Sequence, residues 1–343
     1  MLRDIQDQYS DVILHEACRR FGFDPQGLEE FEGSAFVYGG LADGKERILK
    51  ITPGVIGMGQ VMGSTEEQVM GEIDFSNYLS RNGVPLAAPV ASKNGVWVEI
   101  IPLNEQGCFL ATCFEKATGF MYPDEDEVTF PEEVLVEWGR LAGMMHRLSG
   151  GYKPSKPEWQ RVDWRDDDLL DFEALLSADL HLIRQRRDEL MARLNSLPQT
   201  PDVYGLVHAD FHHGNFFVDG GRLTVFDFDA ARPFWYMGDI GIALYNCLPL
   251  PRTRTVDRRT YALRFLAQFL KGYRKEKELD VFWLEQIPLF FKYCELEHYA
   301  YFFKYWDFNN LSERRRNLLA DFQQRIENEV PVVMFEPGDL SAL

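Results

Sequence analysis

This chain of 343 residues has no evident disulfide framework, no membrane span and no basic surface, and each absence narrows what it can be. Its five cysteines, at 18, 108, 113, 247 and 294, are odd in number and form no CxxC pair, which fits a reducing compartment better than a disulfide scaffold. No uninterrupted apolar run is long enough to cross a bilayer, and the opening MLRDIQDQYS is polar and acidic, without the cationic region and apolar stretch of a secretory leader. The expectation is a cytoplasmic location. Basic residues are outnumbered, 36 Lys and Arg against 54 Asp and Glu, and a net charge of −18 repels phosphate backbones and anionic membrane surfaces at long range. Neither nucleic acid nor a membrane is an expected partner; a neutral or cationic small substrate is easier to accommodate.

What is present is ample packing material: 45% hydrophobic and 14% aromatic residues mark a globular protein, and the length favours two lobes over one core. QYSDVILHEACRRF (8–21) has helical apolar spacing. SAFVYGGLADGKERILKI and GVWVEIIPL read as short strands with turn residues between them. Between those two runs, STEEQVMGEIDFSNYLSRNG reads as a helix with Ser64 or Thr65 as N-cap, acids in its first turn and Gly83 past its end. CFLATCFEKATG is another apolar run ending in turn residues. After Gly119 the pattern becomes helical, with PEEVLVEWGRLAGMMHRLS, then LLDFEALLSADLHLIRQRRDELMARLNS, then nearly everything beyond residue 239.

One stretch interrupts the helices. LVHADFHHGNFFVDGGRLTVFDFD (206–229) sets three His, four Asp and an Asn among strand-forming residues, and its second half reads as a hairpin joined through Asp219, Gly220 and Gly221. The hairpin returns Asn215 and Asp227, twelve residues apart, to the same end of two paired strands. Asp210, Asn215 and Asp227 are the set that phosphoryl transfer needs: a carboxylate to orient and deprotonate a hydroxyl, then an amide oxygen and a second carboxylate to hold Mg2+ on nucleotide phosphates. A metallohydrolase with His208, Asp210, His212 and His213 around Zn2+ or a metal pair is the competing chemistry.

The order His208-x-Asp210, Asn215, then Asp227 within VFDFD resembles the catalytic stretch of the aminoglycoside phosphotransferase and choline kinase family, relatives of the protein kinases. The resemblance covers about residues 30 to 245. It implies an α+β, bilobal protein-kinase-like fold: an N-terminal lobe with a small antiparallel sheet and one helix (1–113), a hinge (114–119), and a mostly helical C-terminal lobe (120–343). By the same resemblance Asp210 is the catalytic base, Asn215 and Asp227 hold Mg2+, and ATP is the phosphate donor.

Lys50 in RILKI shares a strand face with Ile48, an odd place for an ammonium group without anionic partners, and the resemblance makes it the phosphate-holding lysine. Its carboxylate partner is then Glu72, with Glu66 and Glu67 as fallbacks. FEGSAFVYGG stands where the phosphate-covering loop belongs but lacks G-x-G-x-x-G, leaving Gly33 and Ser34 as candidates to approach the phosphates. The hinge implied by the resemblance runs from Phe114 to Ala117, with the Glu115 carbonyl and the Ala117 amide facing the adenine. Asp239 in YMGDIGIAL would brace the catalytic loop or cap a helix, and Asp229 is a second metal neighbour or a turn acid. FFKYCELEHYAYFFKYWDF (290–308) is either a cage for a cationic amine or core packing. The runs at 124–127, 166–168 and 314–316 read as solvated.

The implied activity is ATP-dependent phosphorylation of a hydroxyl on a small molecule, with aminoglycoside-like sugars, amino alcohols and homoserine as candidates. A protein Ser/Thr kinase of the same fold and a nucleotide-binding module without catalysis are the alternatives.

Overall fold

The computed structural model describes residues 2–31, 35–56, 65–105, 107–122, 130–248 and 257–343. In chain order these form α1 (Leu2–Gln6), α2 (Asp11–Phe21), β1 (Glu29–Phe31), β2 (Phe36–Ala42), β3 (Lys45–Val55), α3 (Glu66–Arg81), β4 (Val98–Pro102) and β5 (Gly107–Glu115). There follow α4 (Glu132–Ser149), α5 (Phe172–Leu175), α6 (His181–Asn195), β6 (Tyr204–Val207), β7 (Phe216–Asp219), β8 (Arg222–Val225) and β9 (Arg232–Trp235). The remainder is helical: α7 (Tyr236–Tyr245), α8 (Arg258–Tyr273), α9 (Val281–Leu284), α10 (Ile287–Tyr305) and α11 (Glu313–Glu327). Two compact units result, each assembled from several stretches: 1–121, 151–162 and 215–231 in the first, and 122–150, 163–214 and 232–343 in the second.

The first unit is built on an antiparallel sheet in the order β1-β2-β3-β5-β4. Alternation along β3 decides what each face does. Leu49 and Ile51 point to one side, where Ile13, Ala17 and Phe21 of α2 complete a core with Phe109, Ala111 and Cys113 of β5. Lys50 pairs with Thr112 and therefore shares the opposite face with Cys108 and Leu110, against which Val69, Met70 and Ile73 of α3 pack. Burying each such aliphatic side chain is worth about 1.5–3 kcal/mol, so α3 is fixed on the face that carries the lysine. Thr65 caps α3 by accepting a bond from the Gln68 amide at 3.3 Å, and Gly83 follows its end with φ +87°; the alternative cap, Ser64, lies outside the described residues.

The hairpin β7–β8 belongs to this unit, with Phe216 opposite Val225 and Asp219 opposite Arg222. Its two-residue turn places Gly220 and Gly221 at φ +55° and +80°, the left-handed region that only glycine enters freely.

In the second unit α4 and α8 pack around Trp138, which meets the edges of Phe211, Phe265 and Phe269 with ring centroids 5.8, 5.4 and 6.1 Å away. The strands β6 and β9 pair antiparallel, and α7 leaves the end of β9 directly. The helical pattern over 169–196 does not form one helix: α5 and α6 are separate, because Asp171 caps the former and a turn through Ser177–Leu180 precedes the latter. The aromatic run of α10 divides by face. Phe290, Phe291, Tyr293, Tyr299 and Phe302 are buried, whereas Tyr301 and Tyr305 are half-exposed, as is Phe308 beyond the end of the helix. All five cysteines are buried free thiols, and no helix among the described residues is long and apolar enough to cross a membrane.

Candidate active site

In the first unit the lysine expected to need anionic partners has them. The Lys50 ammonium lies 2.7 Å from Asp227 Oδ1 and 3.0 Å from Asp229 Oδ2, with its side chain 13% exposed and those of the two aspartates about 40% exposed. Burial works against its charge, but Asp227, Asp229 and Glu72 outweigh that and hold its pKa well above the ordinary lysine value. The hairpin brings Asp227 back toward Asn215: the Phe226 amide donates to the Asn215 carbonyl at 3.0 Å, and Asn215 is itself buried. Asp227 adopts φ +63°, a left-handed conformation that costs a non-glycine residue about 1 kcal/mol or more.

Glu72 departs from expectation. It is buried on α3, but it makes no ion pair with Lys50 among the described residues; the partner expected from the helix is replaced by two aspartates from the hairpin's far end. Burial raises its carboxyl to about 7, Asp229 and Asp227 push the same way, and Lys50 and Arg161 pull against them. Glu66 and Glu67, the fallbacks, lie in the first turn of α3 and are likewise without an ion pair to Lys50.

Arg161 was not singled out by its sequence context. It is 3% exposed and donates to the main-chain carbonyls of Ala231 at 2.7 Å, Gln68 at 2.6 Å and Asp229. Main-chain acceptors carry no residue-type signature, so nothing in PSKPEWQRVDW could have announced this role. The remaining expected nucleotide residues are less informative. Gly33 and Ser34 lie outside the described residues; Glu115 ends β5, with its amide bonded to the Ala88 carbonyl at 2.8 Å and its carboxylate 3.3 Å from Arg47; Ala117 follows in a segment without regular structure.

In the second unit Asp239, in the first turn of α7, is 1% exposed and accepts from the main-chain amides of His208 at 3.3 Å and Ala209 at 2.8 Å. His146 Nε2 lies 3.0 Å from the same carboxylate, and its Nδ1 lies 3.0 Å from the Tyr273 hydroxyl. The tautomer that satisfies both contacts puts the proton on Nε2 and lets Tyr273 donate to Nδ1. Burial lowers the His146 pKa despite Asp239, which keeps the imidazole neutral. The brace expected of Asp239 is therefore present, and it fixes the loop that presents Asp210.

Asp210 is 44% exposed, with His212 Nε2 at 3.4 Å. Its charge reaches Tyr301, whose phenol is raised chiefly by burial and then by Tyr305 and Asp210; the rings of Tyr301 and Tyr305 lie 4.6 Å apart. A buried charge network stands elsewhere in this unit, with Arg232 bonded to Asp167 and, at 2.5 Å, to Glu297. The zinc alternative finds no support. Among the described residues no group of three His, Cys, Asp or Glu side chains could hold a metal; His213 is 3.6 Å from the Cys247 thiol, and His212 Nδ1 accepts from the Gly214 amide.

The hairpin chemistry fits Mg2+ better, since that ion takes one or two carboxylates with phosphate oxygens and water and needs no all-protein cage. The oxygen-rich end of β8 already draws a cation, the Lys50 ammonium.

The chain matches the phosphotransferase enzyme family, APH, over residues 39–279. It is 35% identical over 336 residues to an amicoumacin kinase of Bacillus subtilis (strain 168), covering 98% of this chain and 96% of that one. A homoserine kinase of Neisseria meningitidis serogroup B (strain ATCC BAA-335 / MC58) is 26% identical over 220 residues, 63% of this chain and 65% of its own length. Among solved structures, an amicoumacin kinase in complex with AMP-PNP, Ca2+ and Ami superposes with a TM-score of 0.90 at 33% identity, covering 98% of both chains. A microcompartment-associated aminopropanol kinase gives 0.70 at 19% identity, covering 93% of this chain and 95% of that one, a likeness of fold alone.

Proposed function

The chain belongs to the phosphotransferase enzyme family and is a small-molecule kinase of protein-kinase-like α+β fold acting on an alcohol group, and from that premise we propose that it moves the γ-phosphoryl group of ATP to a hydroxyl of amicoumacin or a closely similar hydroxylated amine. The full-length likeness to an amicoumacin kinase supports this acceptor over aminoglycosides, simple amino alcohols and homoserine. The 44%-exposed Asp210 carboxylate and the half-exposed tyrosines 301 and 305 suit an acceptor that carries an ammonium group.

In this reading Asp210 orients the acceptor hydroxyl and takes its proton as the oxygen bonds to the γ-phosphorus and the bond to the ADP oxygen breaks. Lys50 holds phosphate oxygens, with Glu72 behind it on α3. The Glu115 carbonyl and Ala117 amide meet the adenine, and Gly33 and Ser34 cover the phosphates. Asn215 and Asp227 would hold Mg2+, which when bound neutralises charge on the phosphates. Asp239 keeps the Asp210 loop in place through its two main-chain amides.

The observation that carries the reading is the Lys50 ammonium held by Asp227 and Asp229. A divalent cation at Asp227 and phosphate oxygens at the ammonium are what those two groups would accept in exchange for one another. The test incubates the purified protein with ATP or GTP, with and without MgCl2, and with amicoumacin, aminoglycosides, aminopropanol, choline or homoserine. Release of ADP is followed by a coupled assay and the product by mass. Acceptor-dependent release with amicoumacin, abolished by EDTA, is expected. Phosphorylation of another acceptor in preference, or turnover indifferent to divalent metal, would overturn the substrate or the metal assignment respectively.

A further inference from the structure

We infer that in this chain the working partner of Lys50 is Asp229 rather than the α3 glutamate, and that Arg161 is the positioning residue that aims Asp229. The inference rests on the reading of Lys50 as the phosphate-holding amine. Two carboxylates touch the ammonium, Asp227 and Asp229, and Glu72 does not. If Asp227 serves a divalent cation, only Asp229 is left to hold the lysine by a direct charged hydrogen bond.

Asp229 cannot reach Lys50 by chance of rotamer alone, because the segment that carries it is held on both sides. Phe228 is buried and packs against Phe75 of α3, with ring centroids 6.1 Å apart, so that Asp227 and Asp229 flank an anchored side chain. The Ala231 amide closes a turn onto the Phe228 carbonyl at 3.0 Å. Arg161 then binds the carbonyls of Asp229 and Ala231 with one edge of its guanidinium and the Gln68 carbonyl of α3 with another donor. A planar fork with fixed donor directions suits this three-point attachment, and an ammonium does not. Room for it is made at Gly71, where a Cβ would stand 2.4 Å from the Trp159 carbonyl; the residues leading to Arg161 cross α3 closely because that position has no side chain.

Titration calorimetry of AMP-PNP with MgCl2 on the full chain should show binding weakened about tenfold by Asp229→Asn, the loss of one charged hydrogen bond. Arg161→Met should weaken it by a similar factor, and Arg161→Lys should not restore it. Glu72→Gln should weaken it by less than about threefold, the size of a through-space charge effect. Arg161 acts through Asp229, so the double variant Asp229→Asn/Arg161→Met should bind no worse than Asp229→Asn alone. In steady state the KM for ATP should rise in both single variants while the KM for the acceptor stays put, which a loss of folded protein would not produce.

Additive losses in the double variant, or a larger loss in Glu72→Gln than in Asp229→Asn, would overturn the inference. Lys50→Ala separates it from the reading beneath. If that variant binds nucleotide as tightly as the wild type, the phosphate role of Lys50 fails. If it loses binding and only Glu72→Gln shares the loss, the role stands and the Asp229 brace falls.

Discussion

The acids of the two units are satisfied by different means. In the first, the Lys50 ammonium is held between Asp227 and Asp229, with the field of Glu72 adding to theirs, so the cluster is held by charge. In the second, Asp239 is enclosed by two main-chain amides and a neutral imidazole, and His146 in turn is met by Tyr273. Coulombic clusters rearrange when an ion or a phosphate arrives, because every pair term changes at once. Hydrogen bonds to main-chain amides do not; their geometry is set by the fold. The comparison therefore separates an adjustable ligand-holding cluster from a rigid support for the proposed base.

The largest effects separate that rigid support from the group it supports, and come from neutralising Asp210 and Asp239 in turn within the second unit. Asp210→Asn should lower kcat by roughly a hundred- to ten-thousandfold, the worth of general-base catalysis, and leave the melting temperature close to wild type, because the Asp210 carboxylate is 44% exposed. Asp239→Asn removes a charge from buried donors and should cost about 2–3 kcal/mol in urea denaturation as well as activity. Equal stability losses in the two variants would erase the difference between a presented group and a supporting one.

The next effect is smaller and has opposite signs in the two units. Glu72, with a carboxyl raised by burial from its ordinary 4.5 to about 7, contributes stability that is fully present below pH 4.5 and is lost as pH rises through about 7. His146 is depressed by burial below its ordinary 6.5, so its contribution is present above pH 6.5 and is lost as pH falls below it. Urea denaturation of the metal-free protein between pH 5 and 8 reads both. Glu72→Gln should remove the decline that runs up to about pH 7 and keep the loss below pH 6.5; His146→Gln should do the reverse. Parallel curves for Glu72→Gln and wild type would mean that this carboxyl does not titrate in the window.

How much of this could be read beforehand follows from where the information sits. The Asn215 and Asp227 pairing was legible because side-chain type, strand alternation and a Gly-Gly turn all lie within one short stretch. Lys50 was legible as a misfit on an apolar strand, and Asp239 as the acid at the head of α7. The contact of Asp229 with Lys50 was not, because it turns on the path of residues 227–231, which is set by Phe228, by Arg161 and by the absence of a side chain at Gly71. Likewise the aromatic run of α10 gave two readings until its faces were separated. Tyr299 and Phe302 are core, whereas Tyr301 and Tyr305 are not. The break between α5 and α6 escaped the helical pattern because a capping aspartate and a turn interrupt an otherwise continuous apolar period.

The smallest effect tests whether the rigid support stores strain. Ala209 sits next to the proposed base at φ +63°, the same left-handed conformation as Asp227 in the other unit, and its amide is one of the two that Asp239 accepts. Glycine at that position would remove a steric cost of about 1–2 kcal/mol, while the wider freedom it gives the unfolded chain takes back about 0.4–1 kcal/mol. Ala209→Gly should thus be as stable as wild type or more stable by up to about 1.6 kcal/mol in urea denaturation. Its kcat should change by less than about threefold, since Asp239 still binds the same two amides. A clear loss of stability would mean that the alanine methyl, 4% exposed, contributes more by packing than the backbone loses by its conformation, and that the loop is held by its core contacts rather than by Asp239. Asp227 admits no such substitution, because there the strained residue also supplies the carboxylate that meets Lys50.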